Sequence, residues 1–186
     1  MLRAFVLSFV LASVFAVIAY MLPVFSKIFT PIMAIFRSTP TLAVLLILLV
    51  ATNAEGAPVA VAFLTLFPTL YAGIYAALCQ VDGGLVEMSK VYAVPLYKRI
   101  FSLYVPTVLP YVTRTGAGAL SLSLKLVASA EVLAGTFQSL GGMMQEAKYF
   151  LNTPLLFALV IVTVVVGLLL ECVGYMICYC AERGRR

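Results

Sequence analysis

The chain has 186 residues, of which 64% are hydrophobic and only 10% charged, with a net charge of +5 and no histidine. Soluble domains carry about 25% charged residues, so this composition and a mean hydropathy of +1.14 exclude a soluble fold and define an integral membrane protein. Membrane spans of about 20 apolar residues each consume most of that length, which leaves a single transmembrane domain over 1–186.

Five apolar segments follow in chain order, at about 2–22, 40–53, 58–79, 104–133 and 154–180. The first opens with Arg3 ahead of an apolar core, which also fits a secretory signal peptide. That alternative places 23–39 outside the cell and inverts every later loop. The second segment is short, or begins earlier, near Pro31. Pro68 lies inside the third, and Pro106 and Pro110 open the fourth; neighbouring helices in a bundle can satisfy the backbone groups they free. The runs are continuously apolar and lack the in-out alternation of barrel strands, so they read as helices.

Between the third and fourth segments lies a polar stretch. Leu85 to Ala93 reads as a two-turn helix, with Asp82 as N-cap, Glu87 near its start and Pro95 closing it. Leu85, Met88 and Tyr92 share one face, an apolar knob on a short helix in water. It either packs under its own bundle or is offered to a partner. Lys98 and Arg99 are read as anchors of the next helix at an anionic lipid surface.

Within the fourth span Arg114, Gly118, Ser121 and Lys125 recur at i, i+4, i+7 and i+11 and so share a helical face. Charge inside a span tends to face the bundle interior or a water-filled cavity, so this face is a candidate translocation path; Arg114 and Lys125 otherwise snorkel to opposite surfaces. Gly116, Ala117, Gly118 and Ala119 mark a helix-packing face. Glu131 either closes the outer end of this helix, against Lys125 or a backbone amine, or belongs to a gate. Glu171, in the last span, is placed by depth for pairing with Arg114.

The connections fix an orientation by the positive-inside rule. Lys27, Arg37, Lys90, Lys98, Arg99, Arg183, Arg185 and Arg186 fall on one side, against Arg3 and Lys148 on the other. The amino terminus is therefore expected outside, with the 80–105 loop and the carboxyl terminus in the cytoplasm. The net charge is this bias restated and implies no nucleic-acid partner. Cys79, Cys172, Cys178 and Cys180 sit at cytoplasmic helix ends, where thiols stay free. No histidine, nucleotide-binding Gly-Lys-Ser/Thr loop or Gly-x-Ser-x-Gly elbow is present. The chain is expected to be no enzyme, to hold no cofactor or metal, and to draw its energy from a partner or a gradient.

The polar stretch resembles the cytoplasmic loop of binding-protein-dependent ABC importer permeases, whose pattern is Glu-Ala-Ala, three residues, Gly, nine residues, Ile-x-Leu-Pro. Glu87 stands at the acid, Met88 and Ser89 at the alanines, Ala93 at the glycine, Leu103 at the isoleucine and Val105-Pro106 at Leu-Pro; only Glu87 and Pro106 are identical. Arg37-Ser38-Thr39-Pro40-Thr41-Leu42-Ala43, Ser129-Ala130-Glu131-Val132-Leu133, Ser139-Leu140-Gly141 and Ala147 to Pro154 are similar, in order, to landmarks of the nitrate, sulfonate and taurine branch. That branch usually has six spans, and this chain starts at the second.

The resemblance implies an all-α, type I ABC importer permease-like bundle of five transmembrane helices, or six where a first helix is missing, in the bacterial inner membrane. It implies a second permease copy, identical or a sister, two cytoplasmic ATP-binding subunits and an extracytoplasmic solute-binding protein. The loop residues Leu85, Glu87, Met88, Ser89, Tyr92, Ala93 and Pro106 would couple to the ATPase. Small anions or vitamin precursors such as riboflavin or the thiamine pyrimidine are the implied substrates. The competing readings are a membrane scaffold whose loop docks another protein, and an ion-driven secondary transporter, which would need paired intramembrane acids or inverted repeats.

Overall fold

The computed structural model describes residues 2–52, 56–136 and 139–183, with side chains described as far as Met176. Among the described residues every regular element is helical: α1 (Leu2–Met21), α2 (Pro23–Ser38), α3 (Thr41–Ala51), α4 (Ala57–Cys79), α5 (Gly83–Val91), α6 (Leu96–Arg99), a π-helical turn (Ile100–Tyr104), α7 (Val105–Ala134), α8 (Leu140–Tyr149) and α9 (Thr153–Arg183). α1, α4, the α6–α7 unit and α9 are each long and apolar enough to cross a membrane, and the α2–α3 pair makes a fifth if its two pieces count as one span.

The second crossing differs from its sequence reading. The 40–53 segment forms only the 11-residue α3, about 16 Å long at 1.5 Å per residue against a hydrocarbon core of about 30 Å. The stretch 23–39, expected as a connection, is helical and carries Lys27 and Arg37 on α2. The two pieces meet at 91°. Pro40 is the cause: its ring disfavours the helical region for the residue before it, and Thr39 takes φ −70° and ψ 131°. Pro31, by contrast, is accommodated inside α2.

α4 is the hub, with α1 and α7 lying along it. The buried residues of α1 are Ala4, Ser8, Ala12, Ala16 and Ala19, a small-residue stripe that lets two backbones approach closely. α2 is fastened to α4 by polar and aromatic contacts: Ser26 Oγ donates to Tyr75 Oη at 2.6 Å, and Thr30 and Tyr71 share a 3.1 Å hydrogen bond. Phe15, Phe29 and Phe67 interlock around them, with centroids 5.2–6.5 Å apart.

These contacts define two ends of the bundle. At one end Tyr20 of α1 packs edge-on against Tyr104 at 5.9 Å, so the ends of α1 and α4 and the start of α7 lie together beside α5. At the far end Leu45, Ala57, Val61 and Ala130 form a second small core. α2 and α3 run from the first end to the second, a crossing in two pieces. α9 then packs on α7, where Ala117 faces Gly174 and Ser121 and Leu124 face Gly167.

Candidate functional site

The polar stretch forms a well-terminated helix. Gly84 N–H donates to Asp82 Oδ1 at 2.8 Å, the expected N-cap. Its end differs from expectation, because α5 stops at Val91 before Pro95 is reached. Val94 N–H donates to Ser89 O and Ala93 N–H to Lys90 O, both at 3.0 Å, the paired bonds of a Schellman turn. Ala93 takes φ +48° to make it. Pro95 instead stands at the N-cap of α6. The position where the permease pattern has glycine is thus one that needs a left-handed residue, and here alanine fills it at a steric cost.

None of the residues of α5 is buried. Leu85, Met88 and Tyr92 remain 49%, 56% and 73% exposed, and Glu87 beside them is exposed as well. Ser89, half-buried, donates back to Val86 O at 2.6 Å. Val86 is the residue that turns inward onto the main core. Of the two readings for the apolar knob, packing under its own bundle does not occur in the isolated chain.

Arg99 departs from its sequence reading. Rather than reaching toward a lipid surface, its guanidinium turns back to the C-terminal end of α5, where Nη2 donates to Ser89 O at 3.4 Å and Val94 O at 3.3 Å. Lys98, its neighbour, is exposed. The next residue, Ile100, begins the π turn, and Val105 N–H donates to Ile100 O. In an uninterrupted α-helix the Pro106 ring would clash with the carbonyl of Ser102; one wide turn just before it relieves that conflict. α6, the π turn and α7 are therefore one continuous rod from Leu96 to Ala134.

The fourth-span face is only partly shared. Arg114, Gly118 and Lys125 are exposed, together with Tyr111 and Ser129. Ser121 is 4% exposed and sits under α9. Of the small residues, Gly116 faces Phe9 of α1, Ala117 meets α9, Ala119 is buried, and Gly118 has open space before it. Neither Arg114 nor Glu171 has a partner among the described residues, so the pairing suggested by depth does not form.

At the far end, Glu131 Oε2 accepts from Gly141 N–H at 3.2 Å, the backbone-amine alternative. Ser139 caps α8 by accepting from Gly142 N–H at 2.9 Å. A carboxylate beside the first turn of α8 is favourably placed against the helix dipole. The helical nature of 140–149 was not legible in the motif matches that crossed it. The side chains of Cys178, Cys180 and Arg183, and Arg185 and Arg186 entirely, lie outside the described residues.

A helical bundle with one broken crossing, a capped helix exposing its apolar face at one end, and a continuous rod behind that helix defines a multi-pass membrane subunit. The sequence matches the family of binding-protein-dependent transport system inner membrane components over residues 5–177, and the chain belongs to that family. It is a permease subunit of an ABC importer and a non-catalytic, multi-pass inner-membrane component. Among solved structures it is similar to one described as an amino acid ABC transporter with histidines, at 15% identity and a TM-score of 0.68, covering 98% of this chain and 89% of that one. That likeness places the bundle in the type I permease fold. No curated protein sequence matches the chain. Family membership removes the support for the scaffold and secondary-transporter readings.

Proposed function

We propose that this subunit pairs with a second permease, identical or sister, and that α5 is the helix through which a cytoplasmic ATPase drives it. The observation that carries the reading is the exposed triad Leu85, Met88 and Tyr92 on a helix capped at both ends. Clustered aromatic and aliphatic anchors are what a partner groove buries most profitably, and Glu87 beside them would set orientation against a basic residue across the interface. Hydrolysis then belongs to the ATPase, and the permease supplies the alternating path. Ser89, Ala93 and Pro106 serve this unit by shaping the end of α5 and the start of the rod.

The path is proposed to run along the uncovered face of α7, with Arg114, Gly118 and Lys125 lining it, Ser121 beside them under α9, and Glu131 holding its outer end through α8. An uncovered intramembrane face with two cations is unfavourable against lipid and suits a water-filled passage. Cations there, together with the resemblance to the nitrate, sulfonate and taurine branch, favour a small anion delivered by an extracytoplasmic binding protein; vitamin precursors are the next class to test. The excess of Lys and Arg near α5 supports an outward amino terminus and a cytoplasmic carboxyl terminus.

The test is purification of the tagged chain in mild detergent with mass-spectrometric identification of what accompanies it, followed by uptake of nitrate, taurine and riboflavin in proteoliposomes. A stoichiometric ATPase that is lost or uncoupled in Glu87→Ala is the expected result. Purification of the permease without any ATPase, or unchanged uptake in Glu87→Ala, overturns the coupling assignment.

A further inference from the structure

α5 is attached to its own bundle by very little. None of its residues is buried, and only Val86 packs against the main core. A helix meant to move a bundle must nevertheless be rigidly joined to it, or its displacement is dissipated in the connecting loop. Arg99 supplies the joint. Its side chain spans from the first turn of the rod to the carbonyls of Ser89 and Val94, the same two residues whose backbone bond closes the Schellman turn of α5. A guanidinium at a helix C-terminus meets the negative end of the dipole, and here its Nη2 serves both carbonyls at once.

The surroundings confine the group to this role. Arg99 lines a cavity of about 410 Å³, whose other walls include Val17, Leu78, Leu96, Ile100 and Val108. Its Nε is buried without a partner, a costly arrangement for a charged side chain that persists where something else fixes the side chain. Immediately after it comes the π turn, an irregularity found frequently at functional sites. The joint thus sits directly before that irregularity in the rod.

We infer that Arg99 is a positioning residue that clamps the C-terminal end of α5 to the α6–α7 rod, so that displacement of α5 reaches the membrane helices instead of being lost in residues 92–95. This rests on the reading of α5 as the coupling helix. The clamp predicts that α5 and the α6–α7 rod move as one body.

The experiment places spin labels at Lys90 and Tyr111, both exposed, in a chain whose four cysteines are replaced by serine. The α5–α7 distance distribution is measured in nanodiscs, for the permease with its co-purified ATPase, both nucleotide-free and trapped with ATP and vanadate. With Arg99 intact the distribution is expected to be narrow and the same in both states. Arg99→Gln should at least double its width and let the trapped state shift α5 alone, while the ATPase still co-purifies. Arg99→Lys should fall between the two, and Lys98→Gln should match the parent. An unchanged width in Arg99→Gln overturns the clamp; if that variant does not insert, an unchanged width in Arg99→Lys does so. Failure of the ATPase to co-purify with the parent chain instead defeats the coupling reading, and the distance in the permease alone still decides the clamp.

Discussion

Glu131 and Gly141, ten residues apart, join two helices: the carboxylate on α7 accepts the Gly141 N–H of α8 at 3.2 Å. The contact is closer than the hydrogen bond alone suggests. A Cβ built on Gly141 would lie 2.6 Å from both Ala128 O and Val132 N and would collide with the Cβ of Glu131. The first turn of α8 therefore rests directly on the backbone of α7. The sequence landmarks around Glu131 and around Gly141 are the two halves of one joint.

Gly141→Ala should be poorly tolerated. Backbone atoms cannot yield as a flexible side chain does, so α8 must lift from α7, at a cost of about 1–3 kcal/mol as for other overpacked sites. Glu131→Ala removes a charge-assisted bond and should cost about 1.5–3 kcal/mol, whereas Glu131→Gln retains an acceptor and should cost less. The fraction of monodisperse protein surviving a temperature series in detergent, followed by size-exclusion chromatography, ranks the three. Equal survival of Gly141→Ala and the parent would contradict the close approach.

Long, uniformly apolar runs were legible because the bilayer imposes both their length and their composition, and α1, α4, α7 and α9 fell near the expected ranges. α2 and α3 were not, since a crossing broken at Pro40 leaves one half too short and the other too polar to register as a span. Around α5, Asp82 was readable from its residue type and position, but the terminator was missed: an alanine in a left-handed conformation has no signature in sequence, and Pro95 was the more visible stop. Beside Lys98, Arg99 has the sequence appearance of a surface anchor. Its true partners are main-chain carbonyls, which carry no residue label. A basic residue eight positions past the last residue of α5 is the clue that the sequence offers.

Ala93→Gly should strengthen α5. Alanine at φ +48° bears a Cβ penalty of about 1 kcal/mol that glycine avoids, part of it returned through the freer unfolded chain. Amides of Ala93 and Val94, which donate in the Schellman turn, should gain protection by up to about five-fold for 1 kcal/mol of local stability. Hydrogen exchange resolved at residues 89–95 measures it. Faster exchange in the glycine variant would mean that the left-handed turn is not what limits α5.

Tyr71 and Tyr75 should each carry a measurable share of the α2–α4 contact through their hydroxyls. Tyr75→Phe strands Ser26 and Tyr71→Phe strands Thr30. Interhelical bonds of this kind average about 0.6 kcal/mol in membrane proteins, so each single variant should be mildly destabilised. A cycle of Ser26→Ala with Tyr75→Phe should return a coupling of similar size, because the two groups bond each other at 2.6 Å. Additive losses would show that the two groups do not stabilise each other.

The exposed face of α7 should be wet, and the exposed face of α1 should not. Uncovered residues of α1 at Val6, Leu7, Val10, Val14 and Val17 are all apolar, as a lipid-facing stripe must be. Those of α7 include Pro106 and Leu133 near its ends and, between them, Tyr111, Arg114, Gly118, Lys125 and Ser129, a stretch that lipid accepts poorly. Gly118 has nothing within 4 Å of where a Cβ would stand, so Gly118→Cys can be made without distorting the helix. The thiolate is the reacting species and needs water to form. In a background lacking the native cysteines, a charged maleimide should modify Gly118→Cys at least about ten times faster than Val14→Cys. Equal, slow reaction at both positions would place the α7 stripe against lipid or a dry interface and remove it from the translocation path.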